Sequence, residues 1–113
     1  MSQPIYLVVI VLVFVGFWWL KRPNVTGEEA RKLVGDGARL VDVRSAGEFA
    51  SGHIDGAVNI PVDQLGSQLG ALGSKDAPIV VYCASGTRSA MAARTLKGKG
   101  FAGVRNLGAM SNW

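Results

Sequence analysis

The stretch "IVVYCASGTRSAMAARTL", residues 79–96, decides how the chain is read. Its opening "IVVYC" is apolar at every position, the pattern of a strand buried on both faces in the middle of a parallel sheet covered by helices. From Ser89 onward Ala92, Ala93 and Leu96 share one helical face while Arg94, Lys97 and Lys99 share the other, which predicts a helix over 89–99. Between strand and helix stands Cys83, the one cysteine of the chain. In open α/β sheets ligands gather at the carboxyl ends of strands, where the chain turns into a helix. The thiol therefore occupies the place at which such a fold binds.

The turn that follows says what could bind there. Ala84, Ser85, Gly86 and Thr87 are small, and Gly86 lets the backbone curl with successive N–H groups facing inward, an anion nest at the start of a helix. Such a setting takes a thiol pKa from about 8.5 into the range of roughly 3.5–7.5. Arg88 closes the turn with a forked donor set suited to oxyanions. Taken alone, a cysteine after a buried strand is more often a small core hydrophobe than a nucleophile. A core cysteine has no use for a glycine-bearing turn and an arginine at a helix mouth, so the cradle reads as one for a sulfur nucleophile and a bound anion.

Outward from this loop, the chain reads as an α/β domain. Thr26 and Glu29 stand in capping-box positions ahead of an apolar stripe at Ala30, Leu33 and Val34. "RLVDV" is a short strand, "RSAGEFASGH" a helical turn or two, and "GAVNIP" another strand ended by Pro61. Val62, Leu65, Leu69 and Leu72 recur at helical spacing and predict a short helix over 62–72, interrupted by glycines. A last strand is expected over 104–107. Alternating strands and helices of this length argue for a mostly parallel sheet flanked by helices.

The first 20 residues hold none of the 12 Lys/Arg or 8 Asp/Glu of this 113-residue chain. The apolar run opening at Ile5 and closing at Leu20 is followed by Lys21 and Arg22. At about 1.5 Å per residue it spans roughly 24 Å, and Trp18 and Trp19 supply an aromatic belt. A cleaved signal would place basic residues before the run and small ones after it. The expectation is a single transmembrane helix with its basic flank over 1–22, a membrane as partner, and a domain over 23–113 facing the cytoplasm. The net charge of +4 is dispersed, without the clustering that nucleic-acid binding needs.

The block "LVDVRSAGEFASGHIDGAVNIP", residues 40–61, followed by "IVVYCASGTRSAMAARTLKGKGFAGVRNLGAM", residues 79–110, resembles the single-domain rhodanese-like sulfurtransferases. The resemblance covers residues 25–113. It implies an α/β fold in which Cys83 accepts sulfur as a persulfide, with Ala84, Ser85, Gly86, Thr87 and Arg88 holding the terminal sulfur and the anionic part of the donor. The residue after the cysteine is often basic in this family, and Ala84 departs from that. The implied activity moves a sulfane sulfur from an anionic donor such as thiosulfate to a thiol, a protein acceptor or cyanide, with no cofactor.

Two readings compete. One is a membrane-tethered, non-catalytic binding module, disfavoured by the intact Cys83, Gly86 and Arg88. The other is a cysteine phosphatase or arsenate reductase, whose signature has five residues between cysteine and arginine where this chain has four. The block with Asp42, Arg44, Glu48 and His53 suggests acid–base chemistry, but Asp42 and Glu48 both stand within reach of Arg44, and an ion pair fixing a turn is the simpler reading. His53 is expected on backbone. One histidine and one cysteine make no zinc site.

Overall fold

The computed structural model describes residues 3–113. Residues 1 and 2, the start of the expected 1–22 segment, lie outside the described part. Four strands form one sheet in the order β2-β1-β3-β4, every neighbouring pair parallel. They are β1 (Arg39–Asp42), β2 (Val58–Asn59), β3 (Ile79–Cys83) and β4 (Val104–Ala109). β3 is buried along its whole length, as its unbroken apolar run requires. Its side chains alternate between two cores. Ile79, Val81 and Cys83 join Val41, Val43 and the Ala92, Ala93 and Leu96 face of a helix, while Val80 and Tyr82 join Leu40, Leu107, Ala30 and Val25 on the opposite face. This alternation sends the Cys83 side chain to the face covered by the helix of Ala92, Ala93 and Leu96.

The helices are α1 (Gln3–Leu20), α2 (Gly27–Gly35), α3 (Ala46–Ala50) and α4 (Thr87–Gly98). α2 starts at Thr26, with Glu29 closing the capping box, and α3 carries a second box made by Ser45 and Glu48. The expected helix over 62–72 is instead a pair of 3-10 turns, Leu65–Ser67 and Leu69–Leu72. Gly66 and Gly70 each cost an α-helix about 1 kcal/mol relative to alanine, and Leu65 and Leu72 reach the core without one.

α1 is a helix, as its sequence predicts, with its apolar side chains exposed from Ile5 to Leu20. The reading of this segment as a membrane anchor requires correction. No helix among the described residues is long and apolar enough to cross a membrane. The 18 residues of α1 extend roughly 27 Å at about 1.5 Å each, short of a hydrocarbon core of about 30 Å. The single-pass location with a cytoplasm-facing domain rested on that anchor and falls with it. Beyond Leu20 the chain joins the domain: Arg94 donates to the Leu20 carbonyl at 3.2 Å, and Asn24 N–H donates to Asn106 O at 3.0 Å.

Candidate active site

Cys83 ends β3, and Gly86 is the N-cap of α4. Only two residues, Ala84 and Ser85, separate them, so the backbone must reverse sharply. Gly86 does this at φ +102°, a left-handed conformation open to glycine, with Lys21 O, Gly108 Cα and Ala109 N all within 4 Å of where a Cβ would stand. The reversal aims the Gly86 N–H at the sulfur, 2.9 Å from Sγ. Ser89, the third residue of α4, places its Oγ 3.5 Å from Sγ and donates to the Gly86 carbonyl at 3.1 Å.

Cys83 is 1 % exposed. Burial pushes its thiol pKa up, but hydrogen bonding with the Ser89 side chain and with the backbone of Ser89, Gly86 and Ser85 outweighs it, leaving the thiol below its ordinary value. Ala84 and Ser85 are exposed, Thr87 and Arg88 half-buried, and Gly86 buried. Of the predicted loop residues, Gly86 and Ser85 hydrogen-bond the sulfur at the strand end through their backbone. Ser89, which sequence reasoning treated only as the start of the helix, belongs with them. Its position six residues after the cysteine, at the opening of the expected helix, was the available signal.

Arg88 is not a free cation. Its Nη1 and Nη2 donate to Glu48 Oε1 and Oε2 at 2.7 and 3.0 Å, and hydrogen bonding to Glu48 holds the guanidinium pKa above its ordinary value. Sequence reasoning placed both Asp42 and Glu48 within reach of Arg44. Only Asp42 takes that partner, with Oδ2 2.7 Å from Arg44 Nη2. Arg44 also donates to the Gly52 carbonyl at 2.7 Å, fixing the turn as expected. His53 bonds the Phe49 carbonyl at 2.9 Å through Nδ1 and stacks on the Phe49 ring.

A cavity of about 240 Å³ adjoins the loop, lined in part by Val43, Ser45, Pro61, Val62 and Arg88. Asp42 pairs in register with Tyr82, so Val43, the next residue, stands beside Cys83. Val43 and Arg88 line this space together, and Cys83 stands on the strand next to Val43.

A sulfur held by backbone N–H groups at a β-to-α junction of a parallel sheet defines a class. The Rhodanese-like domain family model matches residues 26–113. Human thiosulfate:glutathione sulfurtransferase is 40% identical over 106 residues, covering 80% of this chain and 92% of the relative. A Pseudomonas aeruginosa thiosulfate sulfurtransferase, GlpE, is 37% identical over 84 residues, covering 74% of this chain and 76% of GlpE. Bacillus subtilis YqhL is 42% identical over 77 residues, and this chain spans 60% of its length. Among solved structures, the human single-domain sulfurtransferase TSTD1 superposes with a TM-score of 0.70 at 33% identity, covering 80% of this chain and 91% of TSTD1.

The chain belongs to the rhodanese-like domain family. It is a rhodanese-type transferase.

Proposed function

We propose that residues 23–113 form a sulfurtransferase unit that carries a sulfane sulfur on Cys83. The observation carrying this reading is the Gly86 N–H at 2.9 Å from Sγ within a loop that lowers the thiol pKa. The Cys83 thiolate attacks the outer sulfur of thiosulfate, forming an Sγ–S bond. The donor's S–S bond breaks, and its electron pair leaves with sulfite. An acceptor thiolate, or cyanide, then attacks the outer sulfur of the persulfide, and the bonding pair returns to Cys83 as thiolate. No general base is needed once the thiolate is preformed.

In this scheme the turn from Ala84 to Thr87 surrounds the added sulfur, and Arg88 meets the anionic end of the donor in the adjoining cavity. The names of the human and Pseudomonas aeruginosa relatives support thiosulfate as donor, and that of the human one supports a thiol acceptor. The four-residue spacing from Cys83 to Arg88 leaves room for one sulfur atom on the thiolate but crowds a tetrahedral oxyanion, which needs a wider ring of N–H groups. The test is mass spectrometry of the protein after thiosulfate treatment, run beside an aryl-phosphate hydrolysis assay. One added sulfur on Cys83 with negligible hydrolysis is expected. An unmodified Cys83, or phosphatase turnover matching sulfur transfer, overturns the reading.

A further inference from the structure

We propose that Glu48 is a specificity-determining positioning residue: its forked pair with Arg88 sets both the orientation of that guanidinium and the charge an anionic sulfur donor meets beside the Cys83 loop. The proposal rests on the reading of the loop as a sulfur-transfer site.

Glu48 is already fixed before Arg88 reaches it. As the third residue of α3, it accepts from Ser45 N–H at 3.2 Å and Ser45 Oγ at 3.0 Å, both on Oε1. Ser45 Oγ in turn accepts from the Glu48 N–H. Ordinary surface ion pairs join two free side chains and lose most of their benefit to the entropy of ordering them. Here the carboxylate is immobilised by its own capping box, so Arg88 alone must be ordered. The contact joins α3 to the start of α4 across 40 residues of sequence.

The pair occupies both terminal nitrogens of Arg88 and brings its local charge close to zero. Among the described residues lining the adjoining cavity, Arg88 is the one cation, and Asp63 adds a carboxylate. Ala84 contributes no charge after the cysteine. An anionic donor therefore meets Arg88 only in competition with Glu48. An uncharged donor meets no such competition. Glu48 in this way tunes the balance between donor classes without touching the reacting sulfur.

Glu48→Gln removes the charge and keeps the capping box, since glutamine also serves at that position. The charge beside the loop is read by alkylating Cys83, the only thiol in the chain, with iodoacetate and with iodoacetamide, reagents of similar size that differ in charge. The iodoacetate-to-iodoacetamide rate ratio is expected to rise about threefold in Glu48→Gln, and the KM for thiosulfate to fall by a similar factor with kcat changed by less than about twofold. In an Arg88→Ala background Glu48→Gln should leave the ratio unmoved. Glu48→Asp, which retains charge but shortens the reach, should give an intermediate ratio and serves if the glutamine variant does not fold. An unchanged ratio in either single variant overturns the proposal. A rise of equal size without Arg88 also overturns it, because Glu48 would then act by its own charge. Loss of thiosulfate activity in the wild type would instead remove the sulfur-transfer reading, while the alkylation ratio still reports on the coupling of Glu48 to Arg88.

Discussion

Two arginine–carboxylate pairs flank the end of the central strands, each closing to 2.7 Å, yet they stand in different surroundings. In the Asp42–Arg44 pair the side chains are 0 % and 8 % exposed. Asp42 also accepts from the Arg44 backbone N–H at 2.9 Å, and Arg44 lies over the Tyr82 ring. In the Glu48–Arg88 pair the side chains are 37 % and 34 % exposed, at the edge of a cavity. The first pair is sealed by the protein and has nothing to offer a ligand. The second is wet enough to exchange partners. Equal distance therefore says little about role; desolvation decides whether an ion pair holds a turn or tunes a site.

If that contrast is right, function and stability separate between the pairs, with the cysteine loop as the extreme case. Cys83→Ser should reduce sulfur transfer by more than about a thousandfold while shifting Tm by less than about 3 °C, measured by thiosulfate turnover and thermal melting. Residual turnover well above background would remove the covalent route.

The sealed pair is the next largest effect, and it should appear in stability. Asp42→Asn leaves the buried Arg44 charge uncompensated and should cost about 3–5 kcal/mol in chemical denaturation. Glu48→Gln, by contrast, should move Tm only slightly. Similar losses in both variants would break the comparison.

The rim pair should appear in substrate binding. Arg88→Ala is expected to raise the KM for thiosulfate about tenfold while leaving an uncharged sulfane donor nearly unaffected. Equal losses for both donors would mean that Arg88 shapes the loop instead of meeting charge.

The smallest expected effect is on acid stability. Hydrogen bonds from Arg88, then from the Ser45 backbone and side chain, hold the Glu48 carboxyl down at about 2 against an ordinary 4.5. Because the folded value is the lower one, this contribution is present above about pH 4.5 and is lost as the pH falls toward 2. Glu48→Gln should therefore flatten the acid limb of the stability profile in that window. An unchanged limb would show that the pair contributes nothing to folding at low pH.

Much of the fold was legible because the signals are local. The capping boxes at Thr26 and Ser45 lie within three residues of their partners, the second recognisable in the sequence "SAGE" although only the first was singled out. The unbroken apolar run of β3 specifies a strand buried on both faces wherever it is placed. In the 62–72 segment the leucines have helical spacing, but the glycines between them leave only two 3-10 turns. In the N-terminal segment helix formation was readable from composition, but membrane crossing was not borne out by the helix that formed.

The amino-acid sequence by itself determined the order of elements, the strand-to-helix junction and the identity of the loop around Cys83, since these follow from hydrophobic period, glycine placement and residues within about one turn of each other. The tertiary structure alone decided which arginine Glu48 took. Asp42 was assigned to Arg44 by two residues of chain and a shared strand end. Glu48 had Arg44 four residues away and Arg88 forty away, and no sequence pattern ranks a near cation already claimed against a distant one. The register of β1 on β3 and the packing of α4 over the sheet bring Arg88 to the capped end of α3. Non-local packing, not spacing along the chain, thereby placed a carboxylate at the edge of the sulfur site.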